Sequence, residues 1–200
     1  MDSTDRLCLQ VYADRFRVEG ESGNNYTPFA LCMTQTDETS HHWQLYASHS
    51  HGVCIVFDRP ELCAAIEKAA SNSPGVRHGA VEYLEYAAMK KACDRDIDKL
   101  PFVKRKQFSD EQEYRVIAVR GSEVFDDEFS IPIPLSAIKR IILGYRMPAS
   151  LSDSLAELVQ SFPGCRQLIV RRSTFMDNGR WRVGLNSIRK RLRKQGASAQ

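Results

Sequence analysis

The segment from Lys104 to Val119 constrains this chain most, because charged side chains stand directly before a run of β-branched residues. The run predicts a buried strand. Since side chains alternate between the two faces of a strand, Glu111, Glu113 and Arg115 are predicted to share one face. Charges on a core strand are costly to bury unless they form pairs or perform chemistry. The segment therefore predicts a functional site, with an ion-pair ladder on an exposed strand face as the alternative.

Length and composition predict one soluble domain. The chain has 200 residues, of which 42% are hydrophobic and 26% are charged, and these values are ordinary for a globular protein. We expect a single domain over residues 1–188 and a basic tail over residues 189–200. No apolar run approaches the roughly 20 residues that a membrane span needs, and no basic-then-apolar leader opens the chain. The six cysteines are scattered without a C-x-x-C pair, which favours a reducing, cytoplasmic location.

Positive charge is concentrated towards the C-terminus. The whole chain has a net charge of only +3, but Lys and Arg are frequent from Arg166 onwards and end in the cluster Arg189-Lys190-Arg191-Leu192-Arg193-Lys194. Such a cluster either contacts phosphates or forms a solvated terminal helix. The sequence leaves both interpretations open.

Strand-like and helical patterns alternate along the chain, which predicts an α+β fold with mixed or antiparallel sheets and packed helices. The N-terminal segment has a helical pattern that ends in a polar loop from Gly20 to Asn25. Besides the strand of the acidic pair, apolar or alternating runs predict strands at 26–34, 53–57, 81–86, 128–134, 138–143 and 168–171. Helical spacing predicts helices at 41–48, 60–72, 87–100 and 151–162, the first with Thr39 or Ser40 as its N-cap.

Separated segments of the chain together resemble a widespread uncharacterised prokaryotic domain family that is also seen in phage and mobile-element settings. The resemblance covers residues 26–145 and rests on the order of these segments: Cys32-Met33-Thr34-Gln35, Trp43-Gln44-Leu45-Tyr46-Ala47, Gly52-Val53-Cys54-Ile55-Val56-Phe57 and Lys104…Phe108…Glu111-Gln112-Glu113-Tyr114-Arg115. Thr34, His42 and Phe108 stand where the family usually has Ser, Met and Trp. The tyrosine-containing first strand that is usual in the family is not found before Tyr26.

The order of elements also resembles, more distantly, that of ADP-ribosyltransferases, in which an S-T-S-like strand and an aromatic helix precede an E-x-E motif. This resemblance implies an ADP-ribosyltransferase-like fold that acts on NAD. In such a site Glu113 would stabilise the positive charge that develops on the ribose as nicotinamide leaves, and Glu111 would orient or deprotonate the acceptor. The residues expected to contact NAD are Thr34, Trp43, Tyr46 and Arg115.

Each of these residues also has an interpretation without catalysis. Trp43 and Tyr46 lie three positions apart, which is more typical of the core face of a helix than of a stacking platform. Thr34 at a strand end would then be structural, Arg115 would pair with a glutamate of its own strand, and Lys104 would be solvated.

The sequence favours neither a metal site nor a cysteine nucleophile. His42, His49 and His51 lack metal-ligand spacing with one another and with the nearest acids, so we expect no metal. Cys54 lies in an apolar strand, where burial would make its thiol unreactive. The sequence also contains no P-loop and no G-x-G-x-x-G pattern.

Two functions therefore follow as expectations. The first is an NAD-dependent ADP-ribosyltransferase-like enzyme or NAD glycohydrolase, which uses a protein, a nucleic acid or water as the acceptor and acts in phage defence or as a toxin. The second is a non-catalytic module of the same family that binds a nucleic acid or a protein. Neither function requires a membrane, and the sequence does not determine the oligomeric state.

Overall fold

The computed structural model describes residues 3–19, 25–47, 51–73, 75–122, 128–176 and 179–197. Over these residues helices and strands are interleaved, which confirms the predicted α+β class. The helices are α1 (Ser3–Glu19), α2 (Ser40–Tyr46), α3 (Arg59–Asn72), α4 (Tyr86–Arg95), α5 (Ala149–Ser161) and α6 (Gly179–Ala197). The strands are β1 (Asn25–Thr34), β2 (Val53–Phe57), β3 (Val76–Ala80), β4 (Glu82–Leu84), β5 (Val103–Arg105), β6 (Glu113–Ser122), β7 (Ile138–Leu143) and β8 (Ile169–Arg172).

The chain divides into two compact units, which are described separately. Unit 1 comprises Met1–Asp37 and Phe57–Ile138, and unit 2 comprises Glu38–Val56 and Lys139–Gln200. The single domain over residues 1–188 with a tail from residue 189 stays a prediction. The helix α6 continues through residue 189 without interruption.

The main sheet of unit 1 is antiparallel and has the strand order β1-β6-β3. Thr34 at the end of β1 lies opposite Glu113, and Ala80 at the end of β3 lies opposite Tyr114. The short strands β4 and β5 form a separate parallel pair. The first residues of the central strand β6 therefore lie at the end of the sheet where β1 and β3 terminate.

Both faces of β6 are covered by a helix. Ile117 and Val119, at odd-numbered positions, belong to a core cluster with residues of α1. Val116 and Ala118, at even-numbered positions, belong to a second cluster with residues of α3. Fully burying an aliphatic side chain such as Val or Ile contributes about 1.5–3 kcal/mol, so these four residues strongly favour a central position for β6. Side chains at odd positions of the strand consequently face α1, and those at even positions face α3.

Unit 2 contains a sheet of order β2-β7-β8, in which β7 and β8 are parallel. After β7, Gly144 donates its N–H to the carbonyl of Gly52 at 2.7 Å. A Cβ at Gly52 would lie 2.2 Å from the Cβ of Ala47, so only glycine fits this close approach. Thr39 is the N-cap of α2, as predicted, and its hydroxyl accepts the N–H of His42 at 3.1 Å.

The edge-like strand predicted at 128–134 is wrong, because these residues form no regular structure. Pro132 and Pro134 have no N–H group to donate to a ladder, and this outweighs the alternating pattern. The strand predicted at 81–86 is reduced to the three residues of β4. The strand β3 before it was not predicted, because its sequence Val76–Ala80 contains Gly and only one β-branched residue.

The helix predicted at 87–100 ends at Arg95, and a 3-10 helix follows over Ile97–Phe102. Pro101 lies inside this 3-10 helix and cannot continue the hydrogen bonds of an α-helix. The other predicted helices and strands are confirmed within a few residues of their ends. Residues 20–24 of the loop predicted from Gly20 to Asn25 lie outside the described residues, as does the predicted helix end at Ser48. Asn25 is already the first residue of β1.

Candidate functional site

The acidic pair lies at the start of β6, but only its second member belongs to the strand. Glu111 ends a 3-10 helix (Lys106–Glu111), and Gln112 has left-handed backbone angles of φ 42° and ψ 54°. The prediction that period-two alternation places Glu111 and Glu113 on one strand face is therefore wrong. The carbonyl of Gln112 accepts the N–H of Gln35 at 2.9 Å, which helps to hold this uncommon backbone conformation.

Arg115 is 1% exposed and donates hydrogen bonds from all three nitrogens of its guanidinium. Its Nε donates to Glu113 at 2.6 Å, its Nη1 to the carbonyl of Pro101 at 3.0 Å, and its Nη2 to Asp5 at 3.2 Å. Arg115 therefore pairs with a glutamate of its own strand, as the non-catalytic interpretation expects. The pair is buried, however, so the predicted exposed ladder is wrong.

Lys104 joins the two glutamates. Its Nζ lies 2.5 Å from Glu111, 2.9 Å from Glu113 and 3.4 Å from Asp5. The side chain of Lys104 is only 7% exposed, so the prediction of a solvated lysine is wrong. The ring of Phe108 lies 4.9 Å from the same ammonium, at cation–π distance.

We call Asp5, Lys104, Glu111, Glu113 and Arg115 the charged cluster. It combines three carboxylates with two cations, and each of the five residues is buried or has a nearly buried side chain. All five residues belong to unit 1. Removing one partner from such a cluster would leave an uncompensated charge in a poorly solvated environment.

The cluster drives the pKa values of its two glutamates apart. Burial raises the pKa of Glu111, and its hydrogen bond with Glu113 raises it further, against the lowering effect of Lys104. Burial also acts to raise the pKa of Glu113, but hydrogen bonds with Glu111 and Lys104 and the charge of Arg115 lower it below its ordinary value. Glu113 is therefore the stable carboxylate, and Glu111 is the group that takes up a proton first as the pH falls.

Uncharged groups fix the backbone around the two glutamates. Thr34 Oγ1 donates to the carbonyl of Glu111 at 2.8 Å, and the N–H of Glu113 donates to Tyr83 Oη at 2.8 Å. Thr34 thus contacts the main chain of the acidic pair and holds it next to β1. The expected contact of Thr34 with NAD stays a prediction.

The two aromatic candidates belong to unit 2. Trp43 is 6% exposed, and its Nε1 donates to Glu38 at 3.1 Å. The ring of Tyr145 meets Trp43 edge-on at 6.3 Å, so Trp43 is a core residue of this unit. Tyr46 is 60% exposed and stacks with His42 at 6.2 Å.

The charged cluster can divide acid and base roles between its glutamates, but it is closed in this structure. Both oxygens of Glu113 are already occupied, one by Lys104 and the other by Arg115. A substrate hydroxyl could reach Glu113 only after one of these contacts had broken. The arrangement is therefore well suited to holding α1 against β6 through Asp5.

Sequence reasoning missed one member of the cluster and misjudged another. Asp5 lies 110 positions before Arg115, and no local pattern around it marks a buried carboxylate. Lys104 is part of a basic run, Lys104-Arg105-Lys106, in which the sequence alone does not distinguish the buried lysine from its exposed neighbours.

Unit 2 carries a second candidate site, a cationic surface. Unit 2 as a whole contains 13 Lys and Arg against 4 Asp and Glu, a net charge of +9. Unit 1 contains 15 Lys and Arg against 21 Asp and Glu, a net charge of −6. Within unit 2 the helix α6 has seven Lys and Arg and no acidic residue. Its Arg189, Lys190 and Arg191 are exposed, as is Trp181.

Comparison with known proteins gives one result, for the middle of the chain. Residues 42–116 match the family described as "Protein of unknown function (DUF2971)". This match confirms the resemblance to an uncharacterised family. No curated protein and no solved structure matches the chain. The link to ADP-ribosyltransferases stays a prediction.

The DUF2971 match contains four of the five residues of the charged cluster, since only Asp5 lies outside it. The cationic helix α6 also lies outside it. Among the described residues, no helix is both long and apolar enough to cross a bilayer. The same residues contain no group of three or more His, Cys, Asp or Glu side chains arranged to hold a metal ion.

Proposed function

We propose that this chain binds nucleic acid through the cationic surface of unit 2. The separation of charge between the two units carries this proposal, because +9 on unit 2 is offset by −6 on unit 1 and leaves the whole chain at only +3. Charge collected on one unit attracts a polyanion, whereas the same charge spread evenly among acids would not.

The helix α6 supplies the densest part of this charge. Arg189, Lys190 and Arg191 are consecutive and exposed, and successive residues of a helix point about 100° apart. The three side chains can therefore reach different phosphates instead of competing for one. Each phosphate neutralised by a cation releases a condensed counterion, which is the main source of sequence-independent affinity.

The state of the charged cluster favours binding at unit 2 over catalysis at that cluster. Glu113 is 5% exposed and its two oxygens are held by Lys104 and Arg115. A carboxylate that stabilises a developing charge on a substrate needs an oxygen free to face that substrate. The closed cluster leaves the cationic surface of unit 2 as the better supported site.

Fluorescence anisotropy with a labelled oligonucleotide tests the proposal. The variant Arg189→Gln/Lys190→Gln/Arg191→Gln removes three charges from unit 2, and we expect its Kd to rise about tenfold or more at low salt. The control variant replaces the same number of exposed cations on unit 1 with Gln: Lys91, Arg95 and Lys99.

The control is expected to change the Kd by no more than about twofold at physiological ionic strength, where long-range attraction alone is largely screened by salt. Equal weakening by both variants would show that only the net charge matters and would contradict a site on unit 2. An absence of binding by the native chain at low salt would contradict the proposal outright.

We propose NAD-dependent transfer or glycohydrolysis as a second candidate, because the pKa values of Glu111 and Glu113 are shifted in opposite directions. Paired carboxyls with divergent pKa values are typical of acid and base partners in catalysis. In this candidate Lys104 or Arg115 releases Glu113 when substrate binds, and the cation that is released contacts a phosphate of NAD.

NAD consumption tests the second candidate directly. Turnover is expected in the native chain and is expected to fall at least about 100-fold in Glu113→Gln. Glu82→Gln, at an exposed glutamate of unit 1, is the matched control and should keep full turnover. Circular dichroism establishes that the variants are folded. No turnover in the native chain, with cell extract supplied as the acceptor, would contradict this candidate.

A further inference from the structure

Three side chains outside the charged cluster meet on the opposite face of β6. Tyr114 is at an even position of the strand and so faces α3. Its Oη lies 2.6 Å from Nδ1 of His78 on β3 and 3.7 Å from Sγ of Cys63 on α3. The three residues are half-buried and belong to unit 1. They form a continuous chain from thiol to phenol to imidazole.

We propose that Cys63 is a nucleophilic thiol whose proton passes through Tyr114 to His78, and that its substrate is a carbon electrophile carrying an acyl or alkyl group. In the starting state His78 is neutral with its proton on Nε2. The phenol then donates to Nδ1, and the thiol donates to the phenol oxygen. This arrangement places a donor against an acceptor at both contacts.

The proposed reaction balances without a further reagent. The Cys63 sulfur forms a bond to the electrophilic carbon, and the bond from that carbon to its leaving group breaks with the electron pair going to the leaving group. The thiol proton moves to Tyr114 Oη as the phenol proton moves to Nδ1 of His78. The phenol is thus unchanged at the end, and the imidazole has become an imidazolium.

The surroundings of the Tyr114 phenol are better suited to passing a proton on than to acting as the final base. Burial and the hydrogen bond with Cys63 raise the pKa of Tyr114 to about 12, so the phenol remains neutral at physiological pH and can pass a proton on. From α3, Arg59 lies over its ring at 5.4 Å and Glu67 adds a negative charge nearby. Arg59 precedes Cys63 by one turn of α3.

Alkylation by iodoacetamide, followed at each cysteine by peptide mass spectrometry, tests the relay in the full-length protein. An ordinary thiol is only a few per cent thiolate at pH 7, so a relay that forms the thiolate raises the rate about tenfold or more. Cys63 is therefore expected to react about tenfold faster than the half-buried Cys165, which is the internal reference.

Tyr114→Phe keeps the ring but removes the relay, and it is expected to slow Cys63 about tenfold while Cys165 is unchanged. Tyr86→Phe, at a tyrosine that is 73% exposed, is the matched control and should have no effect. His78→Gln is a second variant of the relay with the same expected result.

The proposal is overturned if Cys63 reacts no faster than Cys165, or if Tyr114→Phe and His78→Gln both leave the rate of Cys63 unchanged.

Discussion

Replacing Arg115 with Met tests whether the charged cluster stabilises the fold. The substitution keeps a long apolar side chain but removes a cation that is 1% exposed. It also removes hydrogen bonds to two carboxylates and to the carbonyl of Pro101. Glu113 and Asp5 then stay buried with one less positive charge to balance them.

The expected cost follows from these contacts. A hydrogen bond to a charged group contributes about 1.5–3 kcal/mol, but the variant also avoids the cost of desolvating the guanidinium. Removing one partner of a buried ion pair typically lowers the free energy of unfolding by about 3–5 kcal/mol, and we expect a loss in this range for Arg115→Met. At a urea m-value of about 2 kcal/mol per M, the unfolding midpoint falls by roughly 1.5–2.5 M.

Urea unfolding followed by far-ultraviolet circular dichroism is the appropriate assay. Both tryptophans, Trp43 and Trp181, belong to unit 2, so their fluorescence does not report on the cluster directly. Lys68→Met is the matched control, because Lys68 is an exposed cation of α3 in the same unit. It should change the free energy of unfolding by no more than about 0.5 kcal/mol.

A double-mutant cycle measures the interaction between Asp5 and Arg115 separately from their contacts with the rest of the charged cluster. In Asp5→Asn/Arg115→Met the loss should be smaller than the sum of the two single losses, because each single variant leaves the other charge unpaired. A cost of less than about 1 kcal/mol for Arg115→Met, or strictly additive losses, would refute the reasoning.

Three further predictions concern other groups in the chain. At neutral pH, Glu113→Gln should cost about 3–5 kcal/mol and Glu111→Gln about 1 kcal/mol or less by urea unfolding. Because the pKa of Glu113 is lowered in the fold, its carboxylate stabilises the fold above the ordinary pKa, and this stabilisation is lost as the pH falls through the lowered value. The pKa of Glu111 is raised, so its carboxylate opposes folding until it is protonated. Equal costs of the two variants would contradict this. Gly75→Ala should cost about 2–3 kcal/mol, because its Cβ would lie 2.1 Å from a carbonyl oxygen of β6. Gly179→Ala should not destabilise, because among the described residues its Cβ would meet no atom from another part of the chain within 4 Å. Thr39→Ala should cost about 1 kcal/mol through loss of the N-cap of α2, and a thermal melt unchanged from native would contradict that role.

The strand β6 was predictable because its β-branched run agrees with its burial on both faces. The geometry of the acidic pair was not, because alternation holds only inside a strand. Glu111 lies in a 3-10 helix, and Gln112 has left-handed backbone angles. Gly or Asn at this position would have predicted such angles, but Gln does not. The two carboxylates nevertheless meet at Lys104, which is a tertiary contact and not a consequence of spacing.

The members of both clusters that sequence reasoning missed come from distant parts of the chain. Asp5 reaches Arg115 from α1, and His78 reaches Tyr114 from a strand with little strand-like character. The pairing of β3 with β6 places His78, and the packing of α1 against β6 places Asp5. The information therefore lies in tertiary contacts rather than in the local sequence. Cys63 likewise acquires a polar partner only because α3 covers the even-numbered face of β6.

The salt dependence of nucleic-acid binding tests the central claim most directly. For the native chain we expect the logarithm of the association constant to fall linearly with the logarithm of the salt concentration, by about 0.7 for each phosphate contacted on a single strand. Neutralising Arg189, Lys190 and Arg191 should reduce this slope by about 2, and the control variant of unit 1 should leave it unchanged. A native slope near zero, or a slope that the α6 variant does not alter, would contradict binding through unit 2.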